Sequence, residues 1–137
     1  MRYIYDYITL GEYRCHHCEK LPPDFSLTAI DGPFRNLFHK FKNIRSAWGE
    51  PIDIVSGYRC PFHNHEIGGS LASVHPFGLA FDLRPRDREV KELYKHILLL
   101  HPELRIGEYS THVHIDNGYL IKPRMSSHWQ EGARWQE

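Results

Sequence analysis

The chain lacks long hydrophobic runs, a net charge and an even number of cysteines, and each absence excludes a class of protein. Its longest purely aliphatic stretch, Ile97 to Leu100, is four residues, far short of a membrane span. Lysine plus arginine equals aspartate plus glutamate, 17 against 17, so the net charge offers little non-specific pull towards nucleic acid or an anionic bilayer, local basic patches aside. Three cysteines cannot all pair within the chain, and they fit reduced thiols or a metal better than a disulfide frame. Met1 to Leu10 carries Arg2 and Asp6 among short apolar pieces, unlike an export signal. A soluble protein made in the cytoplasm without a signal peptide is expected. Repeats and low-complexity tracts are also missing. Present in excess is histidine, 11 in 137 residues, the commonest metal ligand and the side chain that titrates nearest neutrality.

At this length one domain spanning residues 1–137 is expected. Residues 1–32 read as loop-rich, punctuated by Gly11, Pro22, Pro23, Gly32 and Pro33. Phe34, Leu37, Phe38, Phe41, Ile44 and Trp48 recur at helical spacing, and Gly49 and Pro51 stop that helix. Ile52 to Val55 and Leu79 to Leu83 read as strands, with an irregular 60–77 between them holding at most a helical turn. A second helix is expected over 87–100, its stripe formed by Val90, Leu93, Ile97 and Leu100. Residues 105–109 and 112–116 are strands meeting near Ser110-Thr111, or one strand with a bulge there. Tyr119 to Ile121 is a further edge candidate, and 123–137 reads as a polar tail containing Trp129 and Trp135. The pattern predicts an α+β fold: a small antiparallel sheet with helices packed on one face.

Chemistry concentrates in two places. In an extended chain His112, His114 and Asp116 share one face, while Val113 and Ile115 take the other. Glu108 joins the histidines if the strand runs back unbroken. Upstream, Ser73, His75, Gly78, Ala80 and Asp82 place an imidazole and a carboxylate on either side of residues small enough for close backbone approach. Separately, Cys15-His16-His17-Cys18 and Cys60-Pro61-Phe62-His63 form two metal-ligand pairs. Cys15, Cys18, Cys60 and His63 suit a closed structural zinc site that pins the N-terminal loop.

Ser56-Gly57-Tyr58-Arg59, Asn64, Gly68-Gly69, Ser73-x-His75-x-x-Gly78-x-Ala80-x-Asp82 and His112-x-His114-x-Asp116, in that order, resemble the zinc D-Ala-D-Ala carboxypeptidase family. That family includes phage endolysins and shares its fold with the hedgehog signalling domain. The resemblance covers about residues 25–121 and implies one catalytic Zn2+ held by His75, Asp82 and His114. It implies that His112 steadies the oxyanion or shuttles a proton, and that Arg59 and Ser73 meet substrate. Either Glu108 or Asp116 is the implied general base. Serine is usual in the family where Cys60 stands, so that departure bears on the cysteine site.

The implied substrate is a peptidoglycan stem peptide, cleaved at its terminal D-Ala or internally, by a monomer that acts at the cell wall after release, as in phage or prophage lysis. A non-catalytic zinc-containing binding module of the same fold is the alternative. A zinc-ribbon nucleic-acid binder has neither the charge nor a basic–aromatic stripe to support it.

Overall fold

A computed structural model describes residues 1–70, 72–124 and 129–137. The N-terminal segment, expected to be loop, opens with a hairpin of β1 (Tyr3–Tyr5) and β2 (Ile8–Thr9), followed by the short helix α1 (Leu10–Tyr13). A reciprocal cap starts α1. Thr9 Oγ1 accepts from the Glu12 N–H at 3.2 Å, and Glu12 Oε1 accepts from the Thr9 N–H at 3.1 Å. The other Glu12 oxygen accepts from the Ile54 N–H, 3.4 Å away, which joins this segment to the sheet.

Helix α2 (Pro33–Trp48) forms where the apolar period places it. Proline at its first position costs no hydrogen bond. Gly49, at φ 81°, closes it in the left-handed conformation that glycine adopts without strain. Its six periodic side chains are buried. After β3 (Ile52–Ser56) the expected helical turn proves to be α3 (Pro61–Glu66), followed by a 3-10 turn at His75–Phe77, and then by β4 (Ala80–Pro85). Helix α4 (Val90–Leu100) starts three residues later than the spacing predicts, because Glu89 is still extended (φ −74°, ψ 149°). Leu93 and Ile97 are buried there, whereas Leu100 keeps 39% of its surface exposed.

Strands β5 (Arg105–Glu108) and β6 (Val113–Asp116) follow, and β7 (Arg134–Gln136) closes the chain. The main sheet has the order β3-β4-β6-β5-β7. Its first four strands pair antiparallel as expected, but β7 pairs parallel to β5. The sheet is therefore mixed. No edge strand forms at Tyr119–Ile121, which lie instead in a 3-10 helix over Gly118–Arg124.

The sheet separates two environments. Phe81, Leu83, Ile106, Val113 and Ile115 pack with the apolar face of α2 and with Leu93 and Ile97 of α4 in one core. By the period of two, Asp82, Gly107, His114 and Asp116 belong to the opposite face.

Part of the expected tail, residues 125–128, lies outside the described residues, and the remainder does not behave as a solvated tail. Trp129 is fully buried with Phe34, Val74, Leu79 and Ala80, and its indole N–H donates to the Ala72 carbonyl at 2.8 Å. Trp135 lies so close to Gly107 that a Cβ there would overlap the indole. Trp129→Ala should cost about 3–5 kcal/mol in denaturant unfolding, whereas a solvated tail residue would change stability by no more than about 0.5 kcal/mol.

Candidate metal centre and its cleft

Antiparallel pairing sets Asp82 directly across from His114, so a carboxylate and an imidazole share the face away from the helices. His75 arrives from outside the sheet, on the 3-10 turn before β4. Ser73 shapes that turn: its Oγ accepts the His75 N–H at 3.1 Å. Gly78 ends it at φ 75°, a conformation that side-chain-bearing residues avoid. One ligand atom from each of His75, Asp82 and His114 lies within 4.8 Å of the others.

Each imidazole is fixed from behind. His75 Nδ1 donates to the Gly57 carbonyl at 2.7 Å, so its Nε2 faces Asp82 Oδ1, 3.2 Å away. His114 Nε2 donates to Asp116 Oδ2 at 2.7 Å, leaving Nδ1 toward the same Asp82 oxygen at 3.0 Å. A carbonyl or carboxylate behind a ligating histidine selects its tautomer and its ring orientation. Asp116 is held in turn. Its Oδ1 accepts from Arg105 Nε at 2.9 Å and from the Gly118 N–H at 2.9 Å.

Charge in the cluster follows from these contacts. Burial pushes the His75 imidazole below its usual pKa, although Asp82 opposes the shift. Burial also disfavours charge on His114, but hydrogen bonds to Asp116 and Asp82 outweigh it and raise the pKa to about 9. Against the effect of burial, hydrogen bonds from His114 and His75 hold Asp82 well below the ordinary carboxylate range. Two imidazole nitrogens and one carboxylate oxygen form the donor set of an open zinc site, with a coordination position left for a reacting group. The residues present fit zinc.

The cluster lies in a cleft of about 650 Å³ that Arg59, Ser73, Tyr109, His112, Trp135 and Glu137 help to line. His112 Nε2 is 3.9 Å from Asp82 Oδ1, and its ring stacks on Tyr109 with centroids 4.5 Å apart. Burial lowers the His112 pKa. Arg59 lines the cleft, and its buried Nε has no hydrogen-bond partner among the described residues.

Glu108 is not brought to the cluster. The chain reverses in a hairpin at Ser110-Thr111, where the Tyr109 N–H donates to the His112 carbonyl at 3.0 Å. That register pairs Glu108 with Val113, and Gly107 with His114. The residue sharing the His112 face is therefore Tyr109. Glu108 Oε1 accepts instead from Gln136 Nε2 at 2.7 Å. Asp116 is next to His114, but buried and with both oxygens engaged. Sequence reasoning also missed the Gly57 carbonyl, which no side-chain pattern reveals, and Arg105, Trp135 and Glu137. Trp135 was legible only as a large aromatic in a stretch otherwise read as polar.

Cys15, Cys18 and Cys60 also come together, with their sulfurs within 4.8 Å of one another, but the His63 imidazole is not part of that group.

The cluster and its cleft carry the donor set of a zinc metallopeptidase. Residues 14–116 match the Peptidase M15 family, so the chain belongs to this zinc D-Ala-D-Ala carboxypeptidase-like family. A search of curated proteins finds no match. Among the described residues no helix is long and apolar enough to cross a membrane.

Two outcomes test the centre. Asp116→Asn should weaken zinc affinity by roughly 10–100-fold, measured by competition with a chelator. Because hydrogen bonds to Asp116 and Asp82 raise the His114 pKa to about 9 in the metal-free protein, loading the cleft with zinc at pH 7.5, in a Cys18→Ser background that takes the thiols out of the count, should release roughly one proton from that imidazole. Calorimetry in buffers of different ionisation enthalpy reads that proton, and its absence would contradict a charged His114 that gives up its Nδ1 proton to ligate the metal.

Proposed function

We propose that this chain is a zinc peptidase that hydrolyses a peptide bond in the stem peptides of bacterial peptidoglycan, as a D-Ala-D-Ala carboxypeptidase or an endolysin-type endopeptidase. The observation that supports it best is the convergence of His75 Nε2, Asp82 Oδ1 and His114 Nδ1 at one cleft, each histidine tied down by its other nitrogen. Bound zinc supplies Lewis-acid polarisation of the scissile carbonyl and an activated water.

The chain's own residues divide the remaining work. Arg59 offers an unengaged donor in the cleft, and its planar guanidinium suits a peptide carboxylate or carbonyl. Tyr109 and Trp135 wall the cleft, and their side chains are joined by an indole N–H donated to the Tyr109 hydroxyl at 2.8 Å. His112 is the group we assign to the proton. Its Nδ1 is engaged by Thr111 Oγ1 at 2.9 Å, its Nε2 lies toward Asp82, and Tyr109 fixes its plane. Asp116 then positions His114 and does not receive a proton from substrate, and Glu108 stands outside the reaction. Ser73 acts through the turn that carries His75. We picture a monomer with no nucleic-acid partner, made in the cytoplasm and reaching the cell wall by release, as in phage or prophage lysis.

Purified zinc-loaded protein incubated with defined muropeptides, with and without chelator, should yield shortened peptides by mass only when zinc is present. Unchanged muropeptides would leave a zinc-containing binding module of the same fold. His112→Ala should lower kcat by about 10²–10⁴-fold with cleft zinc retained, while Glu108→Gln should leave kcat within a few-fold of wild type. The reverse pattern would return the proton to Glu108.

A further inference from the structure

Away from the cleft, one other group of ligating side chains converges among the described residues: the thiols of Cys15, Cys18 and Cys60, with sulfurs within 4.8 Å of one another. All three are free. The backbone is arranged to bring them together. Within the C-x-x-C segment the Cys15 N–H donates to the Lys20 carbonyl at 3.0 Å, and the Glu19 N–H donates to the Cys15 carbonyl at 2.8 Å. Glu19 adopts φ 61° to complete this reversal, a cost that a non-glycine residue bears only when its surroundings impose it. The reversal turns Cys18 back beside Cys15.

Cys60 comes from the loop between β3 and α3, 42 residues after Cys18 in the chain. Its N–H donates to Cys15 Sγ at 3.4 Å, and its own Sγ accepts from the His63 N–H at 3.4 Å. Amides directed at sulfur favour the thiolate over the thiol, as they do around thiolate-bound metals. Tetrahedral zinc, with Zn–S bonds of about 2.3 Å, separates its sulfurs by about 3.8 Å, inside the spread seen here. A disulfide would use two of the sulfurs and strand the third.

We propose that Cys15, Cys18 and Cys60 bind a second zinc ion, separate from the one in the cleft, through three thiolates. The fourth position falls to solvent or to an imidazole of His17 or His63, which stack on each other at 5.3 Å. The ion's role is to hold one loop. The Tyr58 N–H already donates to the Tyr13 carbonyl at 2.7 Å, and the metal fastens residues 13–20 to the same 57–63 segment. That segment carries Arg59 and the Gly57 carbonyl that orients His75. The cysteine ion is thus a positioning device for the cleft, and it does not touch substrate.

The test is metal content and thiol reactivity on the intact chain. Wild type should hold two zinc ions, and its three thiols should be silent to a thiol reagent until a chelator is added, when all three react. His114→Ala should keep one zinc, and after cobalt exchange it should still show sulfur-to-cobalt charge-transfer absorption. Cys18→Ser should lose that band and one zinc. If Cys18→Ser fails to fold, the wild-type thiol titration stands on its own. One zinc with freely reactive thiols, or a disulfide in protein purified reduced with zinc, would overturn the proposal. Loss of the cleft zinc alone would leave the charge-transfer band, so failure of the peptidase reading is distinguishable.

Discussion

One carboxylate oxygen carries the arrangement of the site. Asp82 Oδ1 lies between two imidazoles, and each imidazole is anchored through its far nitrogen, one to a backbone carbonyl and one to a buried carboxylate. A half-buried carboxylate facing two rings is stable only where those rings present the correct edge. The anchors at Gly57 and Asp116 enforce that choice. Arg105, on the neighbouring strand β5, and the Gly118 amide hold Asp116 in turn and extend the constraint beyond β6.

This geometry needs a sheet whose two faces differ. Phe81, Val113 and Ile115 give α2 and α4 an apolar surface to cover, and the alternation that buries them puts Asp82 and His114 on the other side. A slip of one residue between β4 and β6 would exchange the two sets, turning the carboxylate into the apolar core and exposing the Phe81 ring. Core packing therefore fixes the register, and the register fixes the site. Glycine at position 107 has a related role, because it lets Trp135 lie against the sheet beside His114, with ring centroids 5.4 Å apart.

Much of this was legible from spacing. The period of α2, the stop at Gly49, and the alternation around His114 and Asp82 each follow from local chemistry, and all appear where expected. Legibility failed where the outcome depends on a turn or on distant pairing. Whether Glu108 or Tyr109 accompanies His112 depends on whether the chain bulges or reverses at Ser110-Thr111, and both readings fit the same residues. The return of β7 to pair parallel with β5 is a long-range event with no local signature. Nor does any side-chain pattern mark the Gly57 carbonyl, a main-chain atom, as the partner of His75.

Anomalous diffraction at the zinc edge, from crystals of the zinc-loaded protein, tests the central claim most directly. The account predicts density within bonding distance of the 75 Nε2, 82 carboxylate and 114 Nδ1 atoms, with the far nitrogens still on Gly57 and Asp116. Density on the 114 Nε2 atom, or none in the cleft of fully loaded protein, would contradict it.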